Sequence, residues 1–179
     1  MIKKVTSNIL KYPSGYEPDY IIPKEYCEYR FALGKHGTNP LVVICMNPSA
    51  AKENSSDYTI NRIINISKLL DMDGWMVFNL YPERATNSDL LEEYNSEIGK
   101  KNIQEIRKYL VENNIKEVWV AWGDDKGNET LKKGKEEINN MLNSENIKEY
   151  YYGTLTKSEN PRHPLQRNEK WDFTKKNYL

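Results

Sequence analysis

The sequence predicts an α/β fold, a three-layer α/β/α sandwich on a mainly parallel four-stranded central sheet. Three observations predict it. Four short apolar runs, 41–46, 75–80, 117–122 and 149–152, have the length and composition of strands. The segments between them carry apolar residues at helical period. Each run also ends in polar turn residues, so strands alternate with helical crossovers that cover both faces of the sheet.

The elements follow in order. Leu41-Val42-Val43-Ile44-Cys45 is a β-branched run broken by Met46-Asn47-Pro48-Ser49, which reads as a buried strand (Leu41–Met46) stopped by turn chemistry. A polar loop leads to a helix over 58–70, with Ile60, Ile63, Ile64 and Leu69 on one stripe. The second strand, Trp75–Leu80, runs into Tyr81-Pro82-Glu83-Arg84-Ala85-Thr86. A helical region over 88–113 follows, with a break expected at Gly99 and with Ile103, Ile106 and Leu110 facing inward. The third strand, Glu117–Trp122, ends at Gly123-Asp124-Asp125; a helix over 128–142 buries Leu131, Ile138, Met141 and Leu142. Lys132, Lys133, Lys135, Glu136 and Glu137 mark its solvated face. The fourth strand is Glu149–Tyr152. Earlier in the chain, Tyr29-Arg30-Phe31-Ala32-Leu33 is a candidate edge strand, with 34–39 as its turn.

The 179 residues read as one domain: an irregular N-terminal segment, 1–40, packed on an α/β core, 41–165, with a tail at 166–179. Twenty-six basic and 26 acidic residues cancel, so no global field draws the chain to nucleic acid or membrane. The tail region from Lys157 onward holds six basic and three acidic residues, a modest local excess suited to phosphate contact. Cys27 and Cys45 lie far apart without metal-ligand spacing, and only His36 and His163 join them. A reduced cytoplasmic protein with no metal and no cofactor is therefore the expectation. Met1–Ser7 lacks a continuous apolar stretch, so no signal peptide is expected, and no run is long enough to span a membrane.

Polar clusters follow the strands: Asn47 and Ser49, then Asn79 with Arg84 and Thr86, then Gly123 and Asp124, and finally Arg162 and His163. In a parallel sheet these loops gather at the carboxyl edge, where ligands bind. Pro48 stiffens the first of them.

Taken in order, Met46-Asn47-Pro48-Ser49, Asn79-Leu80, Arg84-Ala85-Thr86, Ala121-Trp122-Gly123 and Arg162-His163-Pro164-Leu165 resemble the family called domain of unknown function 1643, from about Tyr29 to Leu165. That family is in turn distantly similar to the uracil-DNA glycosylase superfamily, and Met46-Asn47-Pro48 resembles its single-strand-selective branch. The resemblance implies a glycosylase-like fold and a nucleobase, a nucleotide or DNA containing a modified base as partner. It makes Asn47 and His163 catalytic candidates, and Asp57 joins them as a carboxylate able to take the proton that an Asn amide cannot. Asn47 would hold an attacking water, His163 would stabilise the departing base anion, and Asp57 would act if it reached the loop. Asn79 would read the base edge, and Met46, Pro48, Ser49, Arg84, Thr86, Gly123 and Arg162 would complete the binding site. The implied activity is a metal-independent N-glycosylase. The sequence departs from the glycosylase pattern where Cys45 and Ser49 replace glycines, and where Leu165, the candidate apolar wedge, follows His163-Pro164 without the usual serine and is itself followed by polar residues.

The residues carry plainer readings beside these. Asp57 is a natural N-cap for the helix at Tyr58, Asn79 is placed to satisfy loop backbone groups, and Arg84 is placed to pair with Glu83 or Glu92. From another functional class, a non-catalytic nucleotide or small-ligand binder, acting as a sensor or sequestering protein in phage–host conflict, fits the same crevice.

Overall fold

The computed structural model describes residues 5, 6, 8–166 and 171–179. It is an α/β structure with a mixed seven-stranded sheet, ordered β1-β2-β4-β3-β5-β6-β7, and three α-helices. The strands are β1 (Tyr20–Ile22), β2 (Ala32–Lys35), β3 (Pro40–Cys45), β4 (Gly74–Asn79), β5 (Glu117–Val120), β6 (Lys148–Tyr151) and β7 (Asn177–Tyr178). The helices are α1 (Tyr58–Leu69), α2 (Ser96–Glu112) and α3 (Glu129–Ser144).

The sheet is larger and less uniform than the four-stranded, mainly parallel one expected. β3 pairs in parallel with β4 and β5, and β5 with β6, while β1, β2 and β7 add antiparallel pairings at the two sides. The first 40 residues thus contribute two strands to the sheet. The expected edge strand is β2, and it is not at the edge, since β1 pairs outside it. It runs on to Lys35, into the stretch expected as a turn, and starts only at Ala32 because Tyr29 and Arg30 bridge instead to the loop after β4 through Tyr29–Glu83 and Arg30 N–Pro82 O. Arg167, Glu169 and Lys170, part of the basic tail anticipated from composition, lie outside the described residues.

Strand alternation divides the core in two. Leu41, Val43 and Cys45 of β3, with Trp75 and Val77 of β4, pack against Ile60, Ile63 and Ile64 of α1. Val42, Ile44, Met76 and Phe78 face the other way, towards Ile106, Tyr109 and Leu110 of α2 and Leu131, Ile138 and Met141 of α3. Helices therefore cover both faces. Each fully buried aliphatic side chain contributes about 1.5–3 kcal/mol by leaving water, so strands apolar on both faces hold only in the middle of the sheet.

Helix starts follow capping chemistry. Asp57, Asn95 and Asn128 are N-caps whose side chains accept from Ile60 N, from Glu97 N and Ile98 N, and from Leu131 N. The second helical region differs from the expected 88–113 span. A short 3₁₀ turn, Ser88–Leu90, precedes an extended link, and α2 begins at Ser96. Gly99 lies inside that helix, where any side chain would collide with the Tyr94 hydroxyl. Lys135 also departs from its expected solvated face: it donates to Asn160 Oδ1 at 2.6 Å and lies over the Trp122 ring.

The carboxyl end of β4 is held tightly. Asn102 of α2 donates to the Asn79 carbonyl at 2.9 Å, and Gly134 of α3 lets that helix approach so closely that a Cβ there would overlap the Leu80 carbonyl oxygen. Since backbone is the obstacle, Gly134→Ala should push α3 off the sheet and lower stability by about 1–3 kcal/mol in urea denaturation.

Candidate functional site

In the order β4-β3-β5-β6, the chain winds from β3 to β4 on one side and then returns past β3 to β5. A crevice opens outside the carboxyl ends of strands where the winding direction reverses. Here that place is filled by the loops after β3 and β5. A cavity of about 360 Å³ opens there, walled by Met46, Asn47, Ser49, Asp57, Thr86 and His163 among the anticipated residues. Tyr58, Thr59, Asn87, Asp124, Lys126 and Leu165 complete most of its lining.

The other anticipated residues stand behind or beside the crevice. Asn79 is 2% exposed, and its Oδ1 accepts from Arg30 Nη2 at 3.3 Å. Arg84 is 1% exposed and donates from Nη1 to the carbonyls of Ser49 and Ala51, both at 2.8 Å. Through Nη1 the guanidinium is turned to the loop carbonyls, beneath the loop. Pro48 is buried in the loop. Gly123 backs the crevice, in the left-handed region at φ 75°, with His163 Cβ packed where a Gly123 side chain would stand. Arg162 turns to Thr154 Oγ1 and the Leu155 carbonyl.

The crevice residues are set by their own bonds. Asn47 Nδ2 donates to the Ala85 carbonyl at 2.7 Å and to the Pro48 carbonyl at 3.2 Å. With both amide protons spent on backbone, Oδ1 is the functional end of this side chain: an acceptor. Ser49 and Thr86 hydroxyls meet at 3.2 Å and join the loop after β3 to the loop after β4. Asp57 caps α1 through Oδ1 and accepts from Ala51 N at 3.2 Å through Oδ2, so it closes the loop while lining the crevice.

His163 is the other chemically distinct group. Its Nδ1 accepts from Leu165 N at 3.3 Å, which places the ring proton of the neutral imidazole on Nε2. Burial pushes its pKa down to about 4, against a smaller upward pull from the Asp57 carboxylate. The ring is thus a neutral N–H donor at physiological pH.

Arg30 carries no recognisable motif, yet it underlies the whole site. It is 2% exposed, and its Nη1 reaches the Ala51 carbonyl at 3.3 Å. Burial, and then the charge of Arg30, pull Arg84 below the usual guanidinium range, while Asp57 acts in the opposite direction on both. The one sequence signal for Arg30 is a charge set inside the apolar run 29–33. Tyr58, Thr59 and Lys126 left no signal, because only the fold brings them to the crevice. Among the described residues no group of three or more His, Cys, Asp or Glu is placed to hold a metal ion, and no helix is long and apolar enough to cross a membrane.

The chain belongs to the family described as "Protein of unknown function (DUF1643)", whose model matches residues 30–165, more than half of its length. No curated protein and no solved structure matches it.

The neutral imidazole has a thermodynamic signature. Below its ordinary pKa of 6.5 the unfolded chain takes up a proton that folded His163, near 4, does not. Stability should therefore fall as pH drops from about 6.5 towards 4. His163→Gln should remove that component, measured as a flatter dependence of Tm on pH over this window.

Proposed function

We propose that this member of the family recognises a nucleobase or nucleotide in the crevice and, as a metal-independent glycosylase, hydrolyses the N-glycosidic bond of an unusual base in DNA. The reading takes the three-layer α/β arrangement as glycosylase-like, on the strength of the resemblance of Met46-Asn47-Pro48 and His163-Pro164. The observation that carries it is the meeting of Asn47 and His163, from loops far apart in sequence, in one crevice as a fixed acceptor and a fixed neutral donor.

The chemistry follows from those two dipoles. Asn47 Oδ1 accepts from a water molecule and aims its oxygen at the sugar carbon. The C1′–N bond breaks with its electron pair leaving on the base, and His163 Nε2–H donates to the resulting anion. The water oxygen bonds to C1′, and its proton passes to the Asp57 carboxylate and on to solvent. An amide cannot serve as that base; of the two carboxylates on the crevice wall, Asp57 and Asp124, the reading gives the role to Asp57, which is bonded to the loop that carries Asn47.

A second reading, a nucleotide binder that cleaves nothing, is favoured by one observation. Asn79, which the resemblance assigns to the base edge, is buried with its oxygen on Arg30. Ser49, Thr86 and Asn87 would then supply polar contacts to the base.

The two readings separate on DNAs holding uracil, hydroxymethyluracil or other modified bases, assayed for abasic sites. In the enzyme reading Asn47→Ala lowers single-turnover cleavage by about 100-fold or more with little change in affinity, and His163→Ala also acts on rate. Asn79→Ala instead acts through stability, since it deprives buried Arg30 of a partner at a cost of about 1–3 kcal/mol. Tight nucleotide binding by a wild-type protein that leaves every such DNA intact decides for the binder.

A further inference from the structure

A second groove, of about 690 Å³, lies beside the crevice and is lined by Asn8, Tyr58, Arg62, Leu165, Gln166 and Trp171. Tyr58 and Leu165 line both cavities. They are 53% and 41% exposed, and they form a low apolar ridge between the two. Arg62 stands one helical turn beyond Tyr58 on α1, which puts the aromatic ring and the guanidinium about 5–6 Å apart at their Cβ atoms.

The groove has a cation to offer, Arg62. The guanidinium of Arg62 rests over the Phe173 ring at 5.8 Å and, among the described residues, forms no hydrogen bond or ion pair. Among the described residues, no carboxylate lines it. The far wall is fixed: Trp171 stacks on Phe173 at 5.7 Å and 3°, and both rings meet buried Trp119 edge-on. A cation resting on one aromatic face, with Tyr58 and Trp171 in the same groove and amides from Asn8 and Gln166 beside them, suits a chain that alternates flat rings with negative charges.

We infer that this groove is a flanking-nucleotide subsite. The nucleotide next to the one in the crevice lays its base on Tyr58 and Trp171 and its phosphate on Arg62, so the ligand is a single strand of nucleic acid and not a lone nucleotide. The inference rests on the crevice reading above and extends it. A stacked base must present an open ring face, which a paired duplex step does not. A cavity of about 360 Å³ is at the small end for ligand sites, enough for one nucleoside, and the strand continues over the ridge.

The test compares two probes: 2′-deoxyuridine, which fills the crevice alone, measured by calorimetry, and a short fluorescein-labelled single-stranded oligodeoxynucleotide with one deoxyuridine, measured by polarisation. The oligonucleotide should bind at least about tenfold more tightly than the nucleoside. Arg62→Ala should weaken it about fivefold and lower the log–log salt slope by about 0.7, the share of one single-strand phosphate. Arg62→Lys should restore the slope. Tyr58→Ala should weaken the oligonucleotide about tenfold, and Tyr58→Phe should not. Thermal melts of each variant confirm that it is folded. An oligonucleotide bound no more tightly than the nucleoside, a salt slope indifferent to Arg62→Ala, or a blunt duplex that competes as well as the single strand overturns the subsite while the crevice reading stands. If neither probe binds, the subsite and the reading beneath it fall together.

Discussion

Two guanidinium groups buried under the loop after β3 are the constraint on which the site depends. Arg84 holds the Ser49 and Ala51 carbonyls, and Arg30 holds Ala51 and Asn79. Burying a cation is costly unless it is hydrogen-bonded and offset by opposite charge. Here the offsets are loop carbonyls, the Tyr26 ring 4.5 Å from Arg84, and the Asp57 carboxylate. The satisfaction is incomplete, since both Nε atoms lack a partner. Such a pair does not earn its place as a source of stability alone. What it does is dictate the path of 47–51, because those carbonyls are the acceptors the cations have.

That path carries consequences to the crevice. With Ser49 and Ala51 turned to the guanidiniums, Ala85 N donates to the Pro48 carbonyl and Asn47 Nδ2 donates to the Ala85 carbonyl. The loops after β3 and β4 become one stitched unit, and Asn47 is left with a single orientation. Asp57 closes the same unit from the other side while it starts α1. One carboxylate therefore caps a helix, offsets two buried cations and borders the crevice.

Much of the fold was legible because buried strands and amphipathic helices leave periodic marks. The four expected strands lie within two residues of β3, β4, β5 and β6, and Asp57 and Asn128 mark helix starts by cap chemistry. What period cannot show is which way a polar residue turns at a strand end. Asn79 and Arg84 follow an apolar run just as Asn47 does, yet they point beneath the loop, because Arg30 and the carbonyls of 49–51 are there to receive them. Arg30 was hidden for a related reason: its partners are 21 and 49 positions away, so nothing local announces them. The short strands β1 and β7 also left weak traces, since two or three residues are too few for a period to register.

The state of His163 ties the backbone to the chemistry. Gly123 ends the stretch after β5 in a conformation that side chains rarely adopt, and its N–H donates to the Pro161 carbonyl at 2.8 Å. This draws the last loop against the sheet edge and seats His163 half-buried on the crevice wall. Its burial favours the neutral ring, and Leu165 N decides which nitrogen holds the proton. A cationic imidazole would bind any anion, including phosphates that do not react, and so would stabilise ground state and transition state alike. A neutral donor gains most where negative charge develops, so in the proposed reaction its contribution would be concentrated in the step that separates charge. A small residue at 123 and a backbone N–H at 165 are thus what would let one histidine favour a leaving base over the phosphates around it.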